Sequence, residues 1–248
     1  MDIGKNVTTK PQVEDNHQGG IFFFQEFSWS GELVDGWMPY GPGKATYSNG
    51  DSFEGSYDDM KRNGIGKYIY ANGAEYEGSY SQNQKTGYGV MKYPDQSVYE
   101  GAWFRDLKHG EGKYIYPNQD IYKGEWKNNI RHGTGTYFFA MSMSQFIGTW
   151  LDGKFIAGQW VFRNGDVYEG SFRKNKPEGE GKFMFAANKT TIYGKFADTK
   201  WTSGGWIRTP ESILESKEAV CELPPPQAFK PVMNRSSQPS FVTSMEFT

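Results

Sequence analysis

Cysteine and histidine are nearly missing from this 248-residue sequence, which has one cysteine, Cys221, and three histidines. A single cysteine excludes an internal disulfide, and no basic-then-apolar leader opens the sequence, so we expect a soluble intracellular protein rather than a secreted one. The longest apolar runs, at 21–24 and 137–141, are far too short to cross a bilayer. The net charge of −2 gives no electrostatic drive toward nucleic acid.

Residues suited to catalysis or metal binding are scarce as well. His109 and His132 each precede a Gly-x-Gly, but two ligands are too few for zinc, so a structural or surface role is favoured. The stretch GPGKAT at 41–46 lacks the spacing of a phosphate-binding loop. No serine lies in a Gly-x-Ser-x-Gly elbow. We therefore predict a protein that is not an enzyme and that takes no cofactor and no metal.

Glycine and aromatic residues are abundant instead, with 31 Gly, 18 Phe, 16 Tyr and 8 Trp. Such a composition favours strands and tight turns over helices. The aromatics recur in a unit, aromatic-x-Gly-x-aromatic, that appears eight times at spacings of 22 to 24 residues. The central glycines of these units are Gly31, Gly55, Gly78, Gly101, Gly124, Gly148, Gly170 and Gly194. A fixed period of this length is the signature of a repeat architecture.

Each unit has the alternation of a strand, so that Tyr76, Gly78 and Tyr80 share one face while Glu77 and Ser79 share the other. In most units a Gly-x-Gly and further aromatics follow about nine residues later, which predicts a second strand and a hairpin. The glycines leave gaps over which a ring from a neighbouring strand can lie. We predict an all-β fold over 21–206, an elongated, solenoid-like, single-layer antiparallel meander of about eight stacked hairpins with degenerate first and last copies.

The units resemble MORN repeats over about residues 27–206. The segments KHGEGKYIYPN (108–118), RHGTGTY (131–137), FIGTWLDGKFIAGQW (146–160) and YEGSFRKNKPEGEGKFMF (168–185) are similar to the MORN-repeat proteins of the radial spoke head in motile cilia. That resemblance implies a structural scaffold in the axoneme of a cilium or flagellum, cytoplasmic before assembly. It also implies other spoke-head proteins as partners in a multi-subunit complex, with contact to central-pair projections, and a role in ciliary motility.

The aromatic face allows two interpretations, a packed core or a binding surface. Because the sequence encodes no second layer, we expect part of this face to stay open and to form a groove for a partner segment. The rings assigned to this groove are Tyr57, Tyr68, Tyr80, Trp103, Tyr114, Trp126, Tyr137 and Trp150. On the other face, a second ladder of contacts is formed by Ile69, Lys92, Ile115, Phe138, Val161 and Met184, although such residues more often merely suit strands.

Charges separate between the two ends of the hairpins. Basic residues gather at the turns after the first strand of each unit, and acidic ones gather at the opposite turns. Solvated turns that discourage aggregation explain this pattern in the simplest way. The alternative function is a module that binds anionic phospholipid at a membrane along its basic edge, for which we select Lys61, Arg62, Lys85, Arg105, Lys108, Arg131, Arg173 and Lys174.

The two ends differ from the repeats. Residues 1–20 are polar and unpatterned, so we expect a flexible arm. Residues 207–223 predict a short helix, with Thr209 as the N-cap and Pro210 in the first turn, that caps the last repeat or docks on a partner. The Pro/Ser-rich segment 224–248 is expected to be extended or disordered.

Overall fold

The computed structural model describes residues 12–13, 21–23, 27–203 and 207–208. These residues form strands and the turns between them, and none of them lies in a helix. The strands are β1 (Gln12–Val13), β2 (Ile21–Phe23), β3 (Phe27–Val34), β4 (Met38–Tyr47), β5 (Ser52–Asp58), β6 (Lys61–Ile69), β7 (Glu75–Ser81), β8 (Gln84–Lys92), β9 (Val98–Phe104), β10 (Leu107–Ile115), β11 (Ile121–Lys127), β12 (Ile130–Phe139), β13 (Ser144–Leu151), β14 (Lys154–Val161), β15 (Val167–Arg173), β16 (Lys176–Met184), β17 (Thr191–Ala197), β18 (Lys200–Ser203) and β19 (Ile207–Arg208).

Each strand from β1 to β18 pairs antiparallel with the next one along the chain. Strand β19 pairs with β17, on the edge that β18 also uses. The strands β3 to β18 thus form an open antiparallel sheet built from eight hairpins. This confirms the predicted all-β meander.

Two kinds of turn alternate along the sheet. Within each hairpin, two consecutive residues take positive φ, as in Asp59 (46°) and Met60 (60°) or Asn128 (50°) and Asn129 (70°); this is the backbone of a type I′ turn, whose twist matches that of the flanking strands. Between hairpins, single residues such as Gly50 (89°) take positive φ. The Asn-Gly dipeptides at 49–50, 72–73 and 164–165 lie at these connections. In the first of them, the Asn49 side chain accepts a hydrogen bond from the Asp51 amide at 3.0 Å.

The core lies on one face of the sheet, which we call the aromatic face and which carries the rings of every unit. Tyr99 shows how the glycines build it, since its ring lies over Gly101 of its own strand and Gly112 of the next one. A Cβ on either glycine would come within 2.8 Å of the Tyr99 hydroxyl oxygen. The predicted gaps are therefore real: one ring covers the glycine of its own strand and also the facing glycine of the neighbouring strand.

The ends of the described chain differ in part from expectation. Strand β1 lies inside the segment 1–20 that was expected to be a flexible arm, and it pairs with β2. Strand β19 occupies the start of the segment 207–223 that was expected to be helical. The rest of the predicted helix and the whole of 224–248 lie outside the described residues. No described segment forms a helix long and apolar enough to span a membrane.

Candidate functional site

From Phe53 to Trp150, the rings of the aromatic face form a continuous zigzag of edge-to-face contacts. Tyr76 meets Trp103 with centroids 5.3 Å apart and planes at 87°, and Trp103 meets Tyr99 at 5.2 Å and 90°. Tyr99 in turn meets Trp126 of the following repeat at 5.5 Å and 85°. Edge-to-face packing is a favoured geometry of aromatic pairs, worth about 0.5–1.5 kcal/mol each beyond burial. Every repeat thus contributes rings that its neighbours cover.

The tryptophans also find hydrogen-bond partners within this packing. The indole N–H groups of Trp103, Trp126 and Trp150 donate to the carbonyls of Gly89, Gly112 and Gly135 at 3.2, 3.3 and 3.2 Å. The hydroxyls of Tyr76, Tyr99, Tyr122 and Tyr168 donate to backbone carbonyls of their own strands, Tyr99 to Ala102 at 2.8 Å. The Tyr80 hydroxyl and the indole N–H groups of Trp160 and Trp201 are buried without a partner among the described residues. Because the polar ends of the hydrogen-bonded rings are satisfied, those rings can be buried at little cost.

The expected open groove is wrong for six of its eight residues. Tyr57, Tyr68, Tyr80, Trp103, Trp126 and Trp150 are each at most 8% exposed and belong to the core. Tyr114 and Tyr137 are partly buried and pack against it. A single layer covers its own aromatic face because the first ring of a unit lies over the paired glycines, as Tyr99 does over Gly101 and Gly112, and tryptophan rings pack edge-to-face against it. Partner binding at these residues stays a prediction that the fold does not test.

Four basic side chains also cover rings of the aromatic face. They recur at the same position in four consecutive repeats, and we call them the cation ladder: Arg62, Lys85, Lys108 and Arg131. The Lys108 ammonium lies 4.7 Å from the Tyr114 ring centre and 5.0 Å from that of Trp126. The Arg131 guanidinium lies 4.5 Å from the Trp150 ring centre and 5.2 Å from that of Tyr137. These are cation–π distances.

The cation ladder corrects the predicted basic edge. Arg62, Lys85, Lys108 and Arg131 were expected at an exposed anionic-surface site, but their charged groups lie over rings of the core. Burial lowers the pKa of Lys108, as expected for an ammonium moved away from water. The other four predicted residues, Lys61, Arg105, Arg173 and Lys174, are at the turns, where the last three are exposed and Arg173 pairs with Glu178 at 2.8 Å.

We expected the four cations of the ladder at an exposed edge because side chains near turns are usually solvated. A signal was nevertheless present, since each cation lies five residues after the second aromatic of its unit and pairs with it across the hairpin, as Trp103 does with Lys108. Paired residues share a face. The register of the hairpin therefore places these side chains with the rings and not with the solvent.

The repeats are bonded to one another at both ends of the hairpins. At one end, the backbone of Lys108 exchanges two hydrogen bonds with Asn129 of the next turn: Lys108 donates its N–H to the Asn129 side-chain oxygen at 2.8 Å and accepts from the Asn129 N–H at 2.9 Å. Asp106 bonds Lys85 in the same manner one repeat earlier. The second residue of each of these turns thus fixes the spacing between repeats.

At the other end, buried aspartates make the connection. Asp51 accepts hydrogen bonds from the Tyr68 hydroxyl at 2.6 Å and from the Ala71 N–H at 2.7 Å, both in the next repeat. Burial alone would raise the pKa of Asp51, but these donors and Asn49 outweigh it and hold the pKa below its usual value. Asp120 makes equivalent bonds to Tyr137 and Ala140. These carboxylates act as structural clamps.

The opposite face, which we call the outer face, carries two rows of side chains that cross the strands. The first row, which contains four members of the predicted second ladder, is half-buried and apolar from β9 to β16 except at Gln145: Val98, Ile115, Ile121, Phe138, Gln145, Val161, Val167 and Met184. The second row begins as alternating charges, with Lys44 opposite Glu54, Glu54 opposite Lys67 and Lys67 opposite Glu77. The sequence alone did not reveal these two neighbouring rows, because the cross-strand register determines which residues of successive strands lie side by side.

The hairpin of β13 and β14 departs from the others. Its second strand keeps Gly158 but has Ile156 where other repeats have their first glycine, and Phe155 takes the position of the cation. Phe155 is 1% exposed and stacks on Phe146 with centroids 4.6 Å apart and planes at 2°. The core thus continues through this hairpin with a ring in place of a charge.

The two histidines considered in the sequence, His109 and His132, lie in strands β10 and β12. His109 lies beside Phe104, with ring centres 5.8 Å apart. Among the described residues, no group of three or more His, Cys, Asp or Glu side chains is placed to hold a metal ion.

Comparison with known families identifies the repeated unit. Five segments of the chain match the MORN repeat, at residues 53–75, 76–98, 99–121, 122–143 and 168–189. The match omits 144–167, which contains the aberrant hairpin β13–β14, and the hairpins at both ends. No curated protein is significantly similar in sequence to this chain.

Several solved structures share a likeness in fold. The TCP domain of SAS-4 from Drosophila melanogaster, solved with a proline-rich motif of Ana2, is 14% identical and has a TM-score of 0.41. The alignment covers 61% of this chain and 81% of that domain. The TCP10 domain of CPAP from Danio rerio, solved with a STIL peptide, is 11% identical and has a TM-score of 0.44. The alignment covers 86% of this chain and 99% of that domain. Likenesses this low carry no argument about function.

Proposed function

We propose that this chain, whose central part consists of MORN repeats, is a non-enzymatic structural scaffold that holds other proteins along its length. The observation that carries this proposal is the continuity of the sheet. The matched repeats share one aromatic core, and the four consecutive ones over 53–143 are bonded to each other through turn contacts and, between the last two, through Asp120. A sheet of this kind offers long, fixed rows of side chains, which suits binding several partners at set spacings.

The specific setting that we propose is the head of the radial spoke in a motile cilium or flagellum. It is supported by the similarity of the segments 108–118, 131–137, 146–160 and 168–185 to the MORN-repeat proteins of that complex. The partners would be other spoke-head proteins, with contact to central-pair projections, and the role would be to support motility. The protein would be cytoplasmic before assembly and axonemal afterwards.

The alternative, binding to anionic phospholipid, rests on fewer residues than the sequence indicated. Half of the expected basic edge is taken up by the cation ladder. Two exposed basic side chains at the turn of β15 and β16, Arg173 and Lys174, still favour it, and of these Arg173 also pairs with Glu178.

Extraction of ciliated cells tests both functions. We would express the tagged full-length chain, remove membranes with detergent, and identify what stays bound to it in the axoneme. Retention together with spoke-head subunits is the expected result. Release with the membrane fraction, in a manner abolished by Arg173→Glu with Lys174→Glu and by added salt, would replace the scaffold proposal with the lipid alternative.

A further inference from the structure

A row of half-buried rings runs along one edge of the aromatic face, at or just after the end of the second strand in the hairpins from β3–β4 to β15–β16. We call it the rim row: Tyr47, Tyr70, Tyr93, Tyr116, Phe139, Phe162 and Phe185. Each ring packs against the core on one side, as Phe162 does on Trp160 with centroids 4.4 Å apart and planes at 30°. The rest of each ring is open to solvent.

The rim row changes chemistry after Tyr116. The tyrosines run beside the cation ladder, where Lys85, for example, donates to the Tyr70 hydroxyl at 3.1 Å. The ladder ends at Arg131, and its position is taken in the following hairpins by Phe155, Pro177 and Trp201. The last three rings of the row carry no hydroxyl, and we call them the phenylalanine rim: Phe139, Phe162 and Phe185.

The phenylalanine rim borders an apolar part of the aromatic face. Exposed charges at this edge, Arg163 and Lys189, belong to the connections that follow the rings, and Asp166 is buried and bonded to Asn164 and the Ala186 N–H. Partly exposed rings in a row on an apolar surface are typical of a binding site. Its occupant needs apolar groups at the spacing of the rings.

That spacing matches a known backbone conformation. The three rings recur once per hairpin, and since neighbouring strands are about 4.8 Å apart, successive rings lie about 9.6 Å apart across the strands. A polyproline II helix has three residues per turn and rises about 3.1 Å per residue, which gives a period of about 9.3 Å. A segment in this conformation can therefore place every third residue beside a ring.

The chain itself carries a segment with this period. Residues 224–232, PPPQAFKPV, include four prolines. At three residues per turn, Pro226, Phe229 and Val232 share one side of a polyproline II helix, which we call the apolar edge of the segment. Pro224, Gln227 and Lys230 share another side, which we call the polar side. The sequence thus predicts an extended segment with one face suited to a row of rings.

The described chain leaves the sheet beside the phenylalanine rim. Arg208 pairs with Thr191 of β17, which in turn lies opposite the residue before Phe185. Six strand spacings separate β19 from β12, the strand at the far end of the rim, which is about 29 Å. Residues 209–223 can span up to about 50 Å. The segment 224–232 can therefore reach all three rings.

We infer that the Pro-rich segment 224–232 of this chain docks on the phenylalanine rim, with its apolar edge against the three rings and its polar side toward water. Proline-rich segments suit aromatic-lined surfaces because their preformed conformation loses little entropy on binding. The inference goes beyond the scaffold proposal. It assigns this end of the aromatic face to the chain itself, so that a partner that binds there has to displace the segment.

Site-specific photo-crosslinking in the purified full-length protein tests the docking site. Benzoylphenylalanine would replace Phe162, or Tyr93 as the matched control, which is half-buried in the same row but lies in its tyrosine part. Mass spectrometry would locate the adducts, and mixing isotope-labelled with unlabelled chains would show whether an adduct joins two copies. We expect position 162, and not position 93, to crosslink to 224–232 within one chain.

Substitutions on the two sides of the segment supply a matched comparison. The apolar-edge variant, Pro226→Glu with Phe229→Glu, should lower the crosslink yield at position 162 about tenfold, because its charges would have to leave water. The polar-side variant, Pro224→Glu with Gln227→Glu, adds the same charge and removes one proline as well, but should leave the yield unchanged. Neither variant alters a residue of the described sheet.

Cys221 gives a second readout that needs no substitution in the sheet. It is the one cysteine of the chain and lies three residues before the segment, so a nitroxide attached to it broadens the NMR signals of amides near the docked segment. We expect broadening in the connections after the phenylalanine rim, 140–143, 163–166 and 186–190, and none at 71–74. The apolar-edge variant should lose this broadening, and the polar-side variant should keep it.

The outcomes decide the inference independently of the spoke-head setting, because the purified protein contains no partner. Adducts to another part of the chain or to a second copy would overturn it, as would equal yields at the two positions. An adduct that forms only when cell extract is added would assign the rim to another protein and would also overturn it. If benzoylphenylalanine prevents folding, the label on Cys221 decides alone: broadening that the apolar-edge variant does not reduce contradicts docking. Failure to fractionate with spoke heads would leave the docking intact.

Discussion

At the scale of single residues, paired glycines decide how closely two strands and a ring can approach. A Cβ on Gly101 would lie 2.5 Å from the Gly112 Cα and 2.7 Å from the Glu111 carbonyl oxygen. Neither is the end of a flexible side chain, so the strands themselves would have to separate. Glycine is thus required here for close approach and not for turn geometry.

Gly101→Ala should therefore destabilise the protein by about 1–3 kcal/mol, the usual cost of forcing extra volume into a packed core. The measurement is urea denaturation followed by tryptophan fluorescence. Glu77→Ala, which changes an exposed residue on the outer face, is the matched control and should shift the midpoint little. Equal effects of the two substitutions would contradict the ring-on-glycine packing.

A second residue-scale prediction concerns pH. The pKa of Asp51 is lowered by its donors in spite of burial, so its stabilisation is complete above the pKa of an unfolded aspartate, about 3.9, and is lost as pH falls through the folded value. Asp51→Asn should cost about 1–3 kcal/mol at pH 7, and the difference from the wild type should shrink below about pH 4.

Denaturation midpoints at pH 7 and pH 3 check this prediction. Glu77→Gln provides the control for removing an exposed carboxylate of the repeat region. A difference between Asp51→Asn and the wild type that stays constant over this pH range would show that Asp51 does not act through its charge.

At the scale of elements, the type I′ turns do more than reverse the chain. Asn129 takes a positive φ of 70° and also accepts the Lys108 amide with its side chain. Asp106 holds the same place in the preceding repeat, which shows that a carboxylate can substitute for the amide.

Asn129→Asp should consequently leave stability nearly unchanged, whereas Asn129→Ala should cost about 1–2 kcal/mol through the lost bond and the strained φ. Asn129→Gly separates the two causes, since glycine accepts the φ but makes no side-chain bond. Thermal denaturation of the three variants measures these differences. Equal stability of Asn129→Ala and Asn129→Gly would remove the conformational part of the argument.

Strands and turns were predictable from sequence because they follow from local patterns. The alternation around Gly78 and the Asn49-Gly50 dipeptide each determine their structure within a few residues. The covering of the aromatic face was not predictable in the same way. The burial of Trp126 between Tyr99, Tyr122 and Lys108 depends on contacts between repeats 23 residues apart. The sequence therefore suggested an open groove where the structure has a core.

At the scale of the whole molecule, every described repeat contacts its neighbours along the chain, and the described strands form a single layer. Stability should therefore vary along the sheet instead of being shared by all of it. Trp126 lies at the junction of two repeats, in contact with Tyr99 and Tyr122.

Trp126→Ala should cost about 3–5 kcal/mol, felt chiefly in β9 to β12. Hydrogen exchange measured by mass spectrometry should show faster exchange in these strands and unchanged exchange in β4 to β6. Trp160→Ala, in the aberrant hairpin, should instead accelerate exchange in β13 to β16. Uniform acceleration over the whole sheet in either variant would mean that the chain unfolds as a single cooperative unit.

The bonds between repeats carry a consequence for how such a chain can evolve. The turn bonds join residues 21 or 22 positions apart, and the aspartate clamps join residues 17 or 20 apart. A duplication or loss of one whole 23-residue unit in the gene therefore restores every bond at the new junction, while an insertion of a few residues breaks them. Length can change in steps without redesign of the core, and the turn bond between Arg131 and Gly153 of the hairpin β13–β14, which spans 22 residues instead of 21, shows how small a departure from the period the sheet contains.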